Sequence, residues 1–359
     1  MNVQERKFRV LVKHFGQSIL FWMIAMALFA VFRFFGLSEE EGIVTPPGYN
    51  FTMALTMFVL FGLFIGVASA FLEFYLDKFL PKRVSIGLNL IISALVYLIT
   101  AVILSTIIIE ITNQVYDMGI NNNRGWWIMD KTFWAIILYI TISTLVFSFI
   151  QIANEKFGKG VFLKMLLGRY KEPKEEKRIF MFLDLKSSTA IAEQLGHLKY
   201  SQLIQDCFYD LNEVVPDFDA EIYQYVGDEA VLSWPYQIGL SNHNCVGLFF
   251  AFRQKLLDKK AYYENKYATS PQFKAGLHGG VLMVAEVGVV KKEVAYHGDV
   301  INTSARIQSE CNRHKVPIIV SETLLQDLSE EDDLTSKFLG DVLLKGKQEK
   351  VNIHTILAT

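Results

Sequence analysis

Four apolar runs near the start of the chain constrain its fold more than any other feature: about Phe15 to Phe35, Phe51 to Leu76, Val84 to Ile109 and Phe133 to Ile152. A helix crosses a hydrocarbon core with roughly 20 apolar residues, and the last of the four runs carries no charge. The composition agrees, since 359 residues that are 52% hydrophobic and 20% charged are too apolar for an ordinary soluble domain. A cleaved signal peptide is a poor reading of the first run. No small-residue cleavage site follows it, and Arg33, Phe34 and Phe35 do.

Lysine and arginine indicate which side each loop faces, because cytoplasmic flanks carry the excess. Arg6, Lys7, Arg9 and Lys13 precede the first run, and Lys78, Lys82 and Arg83 lie between the second and third. The loop from Leu37 to Asn50 is acidic, while Trp126 and Trp127 follow Asn121, Asn122 and Asn123 where an interfacial aromatic belt belongs. These biases predict four spans in the cytoplasmic (inner) membrane with both termini in the cytoplasm. Arg33 runs against the rule near the outer end of its span, as a single snorkelling side chain can. Glu73 lies near the cytoplasmic end of the second span, where interfacial placement is the simplest expectation.

The expected organisation is a four-helix transmembrane domain over residues 1–154, a cytoplasmic coupling linker over 155–177 and an α/β domain over 178–359. In the linker, Val161, Phe162, Met165 and Leu166 have helical spacing broken by Gly158, Gly160 and Gly168. The charged stretch from Lys171 to Arg178, with Pro173, closes it. Basic and acidic side chains nearly balance, at 35 and 37, so no global field points to nucleic acid as a partner. Cys207, Cys245 and Cys311 show no metal-ligand spacing and read as reduced cytoplasmic thiols.

From Arg178 the pattern becomes β-type. Ile179 to Leu183 is a short apolar run that ends in Asp184-Leu185-Lys186-Ser187-Ser188-Thr189 and passes into a helical pattern through Ala190, Ile191 and Leu195. An acid at a strand end, beside a helix N-terminus whose N–H groups can cradle phosphate, usually needs a cation between itself and that phosphate. Taken singly, Ser188 is equally an ordinary helix cap. Glu221 to Trp234 reads as two strands joined by a tight Gly227-Asp228 turn, with Asp228 at the tip. If that hairpin lies beside the first strand, Asp184 and Asp228 form a two-carboxylate site for hard divalent ions. After the strand-like Glu293 to His297, Asp299 can cap a helix on which Asn302 and Arg306 share one face. An amide and a guanidinium suit a ribose and a charged phosphoryl transition state.

In this order and spacing, Asp184 with Ser188-Thr189, then Gly227-Asp228, then Gly298 followed by Asn302 and Arg306 resemble the successive signatures of class III adenylate and guanylate cyclases, over roughly Arg178 to Thr359. The resemblance implies an α+β architecture with a ferredoxin-like α/β sandwich, working as a head-to-tail homodimer with shared sites. It implies that Asp184, Asp228 and the backbone carbonyl of Leu185 hold two Mg²⁺ or Mn²⁺ ions in one protomer. Asn302 orients the ribose and Arg306 stabilises the α-phosphorus, both from the other protomer. The substrate is a nucleoside triphosphate, cyclised by its own 3′ oxygen with loss of pyrophosphate. Ser187, Ser188 and Thr189 are expected on the phosphates. So is Lys274, where the family usually has arginine, and Lys345 in Lys345-Gly346-Lys347 resembles the C-terminal phosphate-binding lysine.

Base recognition departs from the family pattern. Adenylate members typically carry a lysine and an aspartate or threonine where this chain has Gln224 and Ala295, and guanylate members carry a glutamate and a cysteine. Gln224 offers both a donor and an acceptor; Ala295 offers space, leaving Tyr296 or a backbone group as a substitute. ATP is the favoured substrate, with GTP and pyrimidine nucleotides open. Val226 to Ala230 is superficially similar to the G-G-D-E-F hairpin of diguanylate cyclases, but the first Gly and the Phe are missing, and Asn302 and Arg306 have no role there. A catalytically inactive nucleotide-binding sensor is the alternative from another class.

Overall fold

The computed structural model describes residues 3–36, 50–79, 131–158, 160–329, 334–343 and 350–357, with scattered positions between 88 and 110. The chain divides into two compact units, one of Phe8–Ala153 and one of Met1–Lys7 with Asn154–Thr359.

The first unit is helical: α1 (Val3–Gly36), α2 (Phe51–Phe79) and α3 (Lys131–Phe157). Among the described residues these three are long and apolar enough to cross a membrane. Most of the expected third span, Val84 to Ile109, and the loops with Leu37 to Pro47 and Asn121 to Trp127 lie outside the described residues. Trp22, Met26 and Phe29 of α1 pack on Phe61 and Ile65 of α2 and Ile140 of α3. A Cβ at Gly62 or Gly66 would stand 2.6 Å from the α1 backbone, so this small-xxx-small pair sets how closely α1 and α2 approach. Glu73 accepts a hydrogen bond from Gln151 Nε2 of α3 at 3.0 Å, and His14 Nδ1 of α1 is 3.6 Å away, so its carboxylate finds polar partners on both neighbouring helices.

The second unit opens with the short helix α4 (Val161–Leu166) and continues through β1 (Lys174–Leu185), α5 (Ser188–Val214), β2 (Glu221–Val226), β3 (Glu229–Pro235), α6 (Tyr236–Leu240), α7 (Asn244–Asp258), α8 (Lys260–Tyr267) and β4 (Phe273–Val287). It closes with β5 (Glu293–His297), α9 (Asp299–His314), β6 (Ile318–Ser321), α10 (Glu322–Ser329), β7 (Ser336–Val342) and β8 (Val351–Ile356). The sheet order is β2-β3-β1-β4-β6-β8-β7, with β5 also paired to β4. The first four strands, antiparallel to their neighbours in the order β4-β1-β3-β2, form the split βαβ of a ferredoxin-like sandwich.

Strand alternation divides the core between two faces. Ile179, Met181 and Leu183 of β1 face α5 and α7, packing with Leu203, Cys207 and Phe252, whereas Phe180 and Phe182 face α9 with Val284 and Val300. All three cysteines are free and buried, and burial pushes each thiol up to about 12.

The charged stretch before Ile179 is strand rather than linker, since β1 already begins at Lys174. Arg178 is buried among Glu176, Glu221 and Ser233 with its guanidinium 5.1 Å from the Tyr296 ring, so charge there is matched inside the fold. Tyr170 is also buried, and its hydroxyl donates to Glu176 at 3.0 Å.

Candidate active site

Asp184 lies near the C-terminal end of β1, and β3 runs antiparallel beside it so that Asp184 pairs with Glu229, next to Asp228 in the β2–β3 turn. Gly227 takes φ 62° in that turn. The hairpin expected to lie against the first strand does so. Asp228 Oδ2 is buried with no hydrogen-bond partner among the described residues, an oxygen that a cation can satisfy. The phenol of Tyr200, on α5, is raised above its usual range by burial and then by the charges of Asp228 and Asp184, which places it in the field of both acids.

Glu229 is a third carboxylate that sequence reading did not single out. Burial, then Asp184 and then Asp228 push its carboxyl up to about 7, with Lys274 acting in the opposite direction. Adjacent anions of this kind fit a divalent cation, whose charge relieves the repulsion. No group of three or more His, Cys, Asp or Glu that could hold a metal ion occurs among the described residues. Leu185, whose carbonyl belongs to the expected set, is buried beside Asp184.

Ser187 caps α5 from a left-handed conformation, φ 58°, and its hydroxyl makes no capping bond. The first N–H groups of α5 therefore keep their donor capacity for an anion. Ser187 and Thr189 are exposed and Ser188 is half-buried. Lys274, on β4, pairs in register with Asp184 and sets Nζ 3.0 Å from Asp184 Oδ2. Lys345 lies outside the described residues.

On α9, Val300, Thr303, Ser304, Ile307, Gln308 and Cys311 are buried, which leaves Asn302 exposed and Arg306 half-buried on the outer side. Gly298, not Asp299, occupies the cap position; Asp299 begins the helix and accepts from Thr303 Oγ1 at 3.1 Å. Gln308, a second residue missed in the sequence, donates from Nε2 to Asp184 Oδ2 at 2.9 Å.

A bulge positions Gln224. Tyr223 and Gln224 together oppose Val231, so Gln224 shares the face of Val231, while Tyr225 turns to the other face and packs on Phe208 at 4.6 Å between ring centroids. Ala295 pairs with Ala285 on the edge strand β5. Tyr296 is held by Phe180 and Tyr223, at 5.2 Å and 4.9 Å between ring centroids, which commits its ring to packing.

Comparison with known proteins agrees with this fold. The family described as the adenylate and guanylate cyclase catalytic domain matches residues 170–358. Adenylate cyclase 2 of Rhizobium meliloti is 30% identical over 223 residues, which cover 62% of this chain and 61% of that protein. Adenylate cyclase 1 of the same organism is 23% identical over 184 residues, covering 49% of this chain and 27% of that one. The chain thus spans less than two thirds of either relative. The solved structure of a bacterial light-regulated adenylyl cyclase shares the fold, with a TM-score of 0.51 at 16% identity over 66% of this chain and 67% of that one. With more than half its length matched, the chain belongs to the class III adenylate and guanylate cyclase catalytic-domain family, whose members are metal-dependent.

Proposed function

We propose that this chain is a membrane-anchored nucleotidyl cyclase that converts a nucleoside triphosphate, ATP in preference, to its 3′,5′-cyclic nucleotide and pyrophosphate as a head-to-tail homodimer. The observation that carries the proposal is the β1–β3 register, which brings Asp184 beside the Asp228 turn while α9 turns Asn302 and Arg306 outward. ATP is favoured because two adenylate cyclases are among the relatives, and four spans with cytoplasmic termini follow from the apolar runs and their basic flanks.

Asp184, Asp228 and the Leu185 carbonyl would hold two Mg²⁺ or Mn²⁺ ions. Such ions lower the cost of deprotonating the ribose 3′ hydroxyl and neutralise the departing pyrophosphate. The N-terminus of α5, through Ser187, Ser188 and Thr189, binds phosphate oxygens, joined by Lys274 and by Lys345. Asn302 from the partner protomer orients the ribose so that its 3′ oxygen lies in line with the α-phosphorus. Arg306, from the same helix, stabilises charge on the α-phosphoryl oxygens, where a planar fork of donors is worth more than a point charge. Gln224 and Ala295 face the base.

The test is to supply each nucleoside triphosphate with Mg²⁺ or Mn²⁺ to the full chain and identify any cyclic product. Asp184→Ala and Asn302→Ala should each abolish turnover, yet an equal mixture should regain up to about a quarter of normal activity, since sites shared across a two-fold axis complement. Binding of nucleotide with no product under any metal would favour the inactive sensor.

A further inference from the structure

We propose that Gln308 is a positioning residue for Asp184 within its own protomer, acting from the helix that presents Asn302 and Arg306 to the neighbouring one. The inference rests on the reading of Asp184 as a metal ligand and of Asn302 as a residue of the partner's site.

Gln308 lies in the stripe of α9 that packs on the sheet, 6% exposed, among Thr303, Ser304, Ile307 and Cys311. A primary amide in such a place is costly unless hydrogen-bonded, and its bond goes to a charged oxygen, Asp184 Oδ2. The reach is fixed by close packing. A Cβ on Gly276 of β4 would stand 2.2 Å from the Gln308 backbone nitrogen, so α9 rests on the strand at the residue that carries the amide. Two positions earlier on β4, Lys274 meets the same carboxylate oxygen. Both donors fall on Oδ2, which fixes the plane of the carboxylate and leaves its other oxygen without a donor among the described residues.

The two donors differ in kind. Lys274 carries a charge, and triphosphate oxygens compete with Asp184 for it. The Gln308 amide is neutral, brings no charge that opposes a cation, and stays with Asp184 when Lys274 turns to the substrate. Hydrogen bonds of this sort to ligating carboxylates are worth about 10- to 100-fold in metal affinity or activity. Because Gln308 follows Arg306 by half a turn, one helix holds its own protomer's acid while serving the other protomer's ribose and phosphate.

The test uses full-length heterodimers, co-expressed with two tags and purified through both. Pairing an Asp184→Ala subunit with an Asn302→Ala subunit leaves one complete site, its Asp184 from the second subunit and its Asn302 from the first. Gln308→Leu is then added to one subunit at a time. The expected result is a loss at least tenfold greater, with a higher Mn²⁺ requirement, when the change is in the subunit that supplies Asp184. Mn²⁺ binding measured by electron paramagnetic resonance, with 3′-deoxy-ATP so that no turnover occurs, should weaken about tenfold in the Gln308→Leu homodimer. Equal losses from either subunit, or no loss from either, overturn the inference by showing a general packing role or none. No activity in the parent pair overturns the shared-site reading, and this inference with it. If Gln308→Leu does not assemble, Gln308→Asn, one methylene shorter, gives the same contrast.

Discussion

Glu229 stands directly across β1–β3 from Asp184, and its carboxyl is pushed up to about 7 by burial and then by Asp184 and Asp228. A folded-state value above the ordinary 4.5 means that the unfolded chain releases its proton first as pH rises. Stability therefore falls between about 4.5 and 7, and the penalty is fully present above 7. In metal-free protein, Glu229→Gln should raise the unfolding temperature at pH 8 and make little difference at pH 5. Thermal unfolding at the two values checks this; an equal gain at both would remove Glu229 from the electrostatics of the site. Added Mg²⁺ should shrink the gain at pH 8, because a cation relieves the same repulsion.

Arg178 is 2% exposed and bonded to Glu176, Glu221 and Ser233, so it joins β1, β2 and β3 through one guanidinium. Removing one member of such a buried set leaves the other charges uncompensated, at about 3–5 kcal/mol. Arg178→Ala should fall toward the lower end of that range, because the Glu221 side chain is 23% exposed and can take up water. Glu221→Gln in the same chain should recover part of the loss. Chemical denaturation of the four variants in a double-mutant cycle measures the coupling, and strictly additive effects would show that the pair is independent.

The hairpin and first acid were legible because their signals are local: an apolar run ending in Asp184, and a Gly-Asp turn between two β-patterned runs. The start of β1 was not. Lys174 to Arg178 carries the charge of a solvated linker, and only partners brought in from β2 and β3 allow Arg178 to be buried. Gln308 was hidden for the same reason, as its partner Asp184 is 124 residues away in sequence. A polar amide within the stripe Val300, Thr303, Ser304, Ile307 and Cys311 was the available clue. The bulge that sets Gln224 on the face of Val231 left no mark in the hydrophobic pattern, since Ile222 to Val226 reads as an ordinary short strand.

In the proposed function Gln224 and Ala295 face the base, and they match neither usual base-reading pair, so substitutions there test whether these positions set specificity. Gln224→Lys with Ala295→Asp should raise the ratio of kcat/KM for ATP over GTP by about tenfold, the equivalent of roughly 1.4 kcal/mol from new polar contacts to adenine. Gln224→Glu with Ala295→Cys should move the ratio the other way. If neither double variant changes the ratio, these positions do not read the base.

Gly276 gives a variant that separates helix placement from the Gln308 bond. A methyl there meets the Gln308 backbone 2.2 Å away, so Gly276→Ala must lift α9 or bend β4. Overpacking of this kind costs about 1–3 kcal/mol. Since α9 both bonds Asp184 and carries Asn302 and Arg306, the proposed shared site would be harmed on two sides by a lifted helix: at the acid in its own protomer and at the ribose contact in the other. In the complementing heterodimer, Gly276→Ala should therefore reduce activity comparably from either subunit, unlike the one-sided loss expected for Gln308→Leu. Steady-state rates of the two heterodimers are the measurement. A loss confined to the subunit that supplies Asp184 would mean that α9 presents Asn302 and Arg306 independently of its seat on β4.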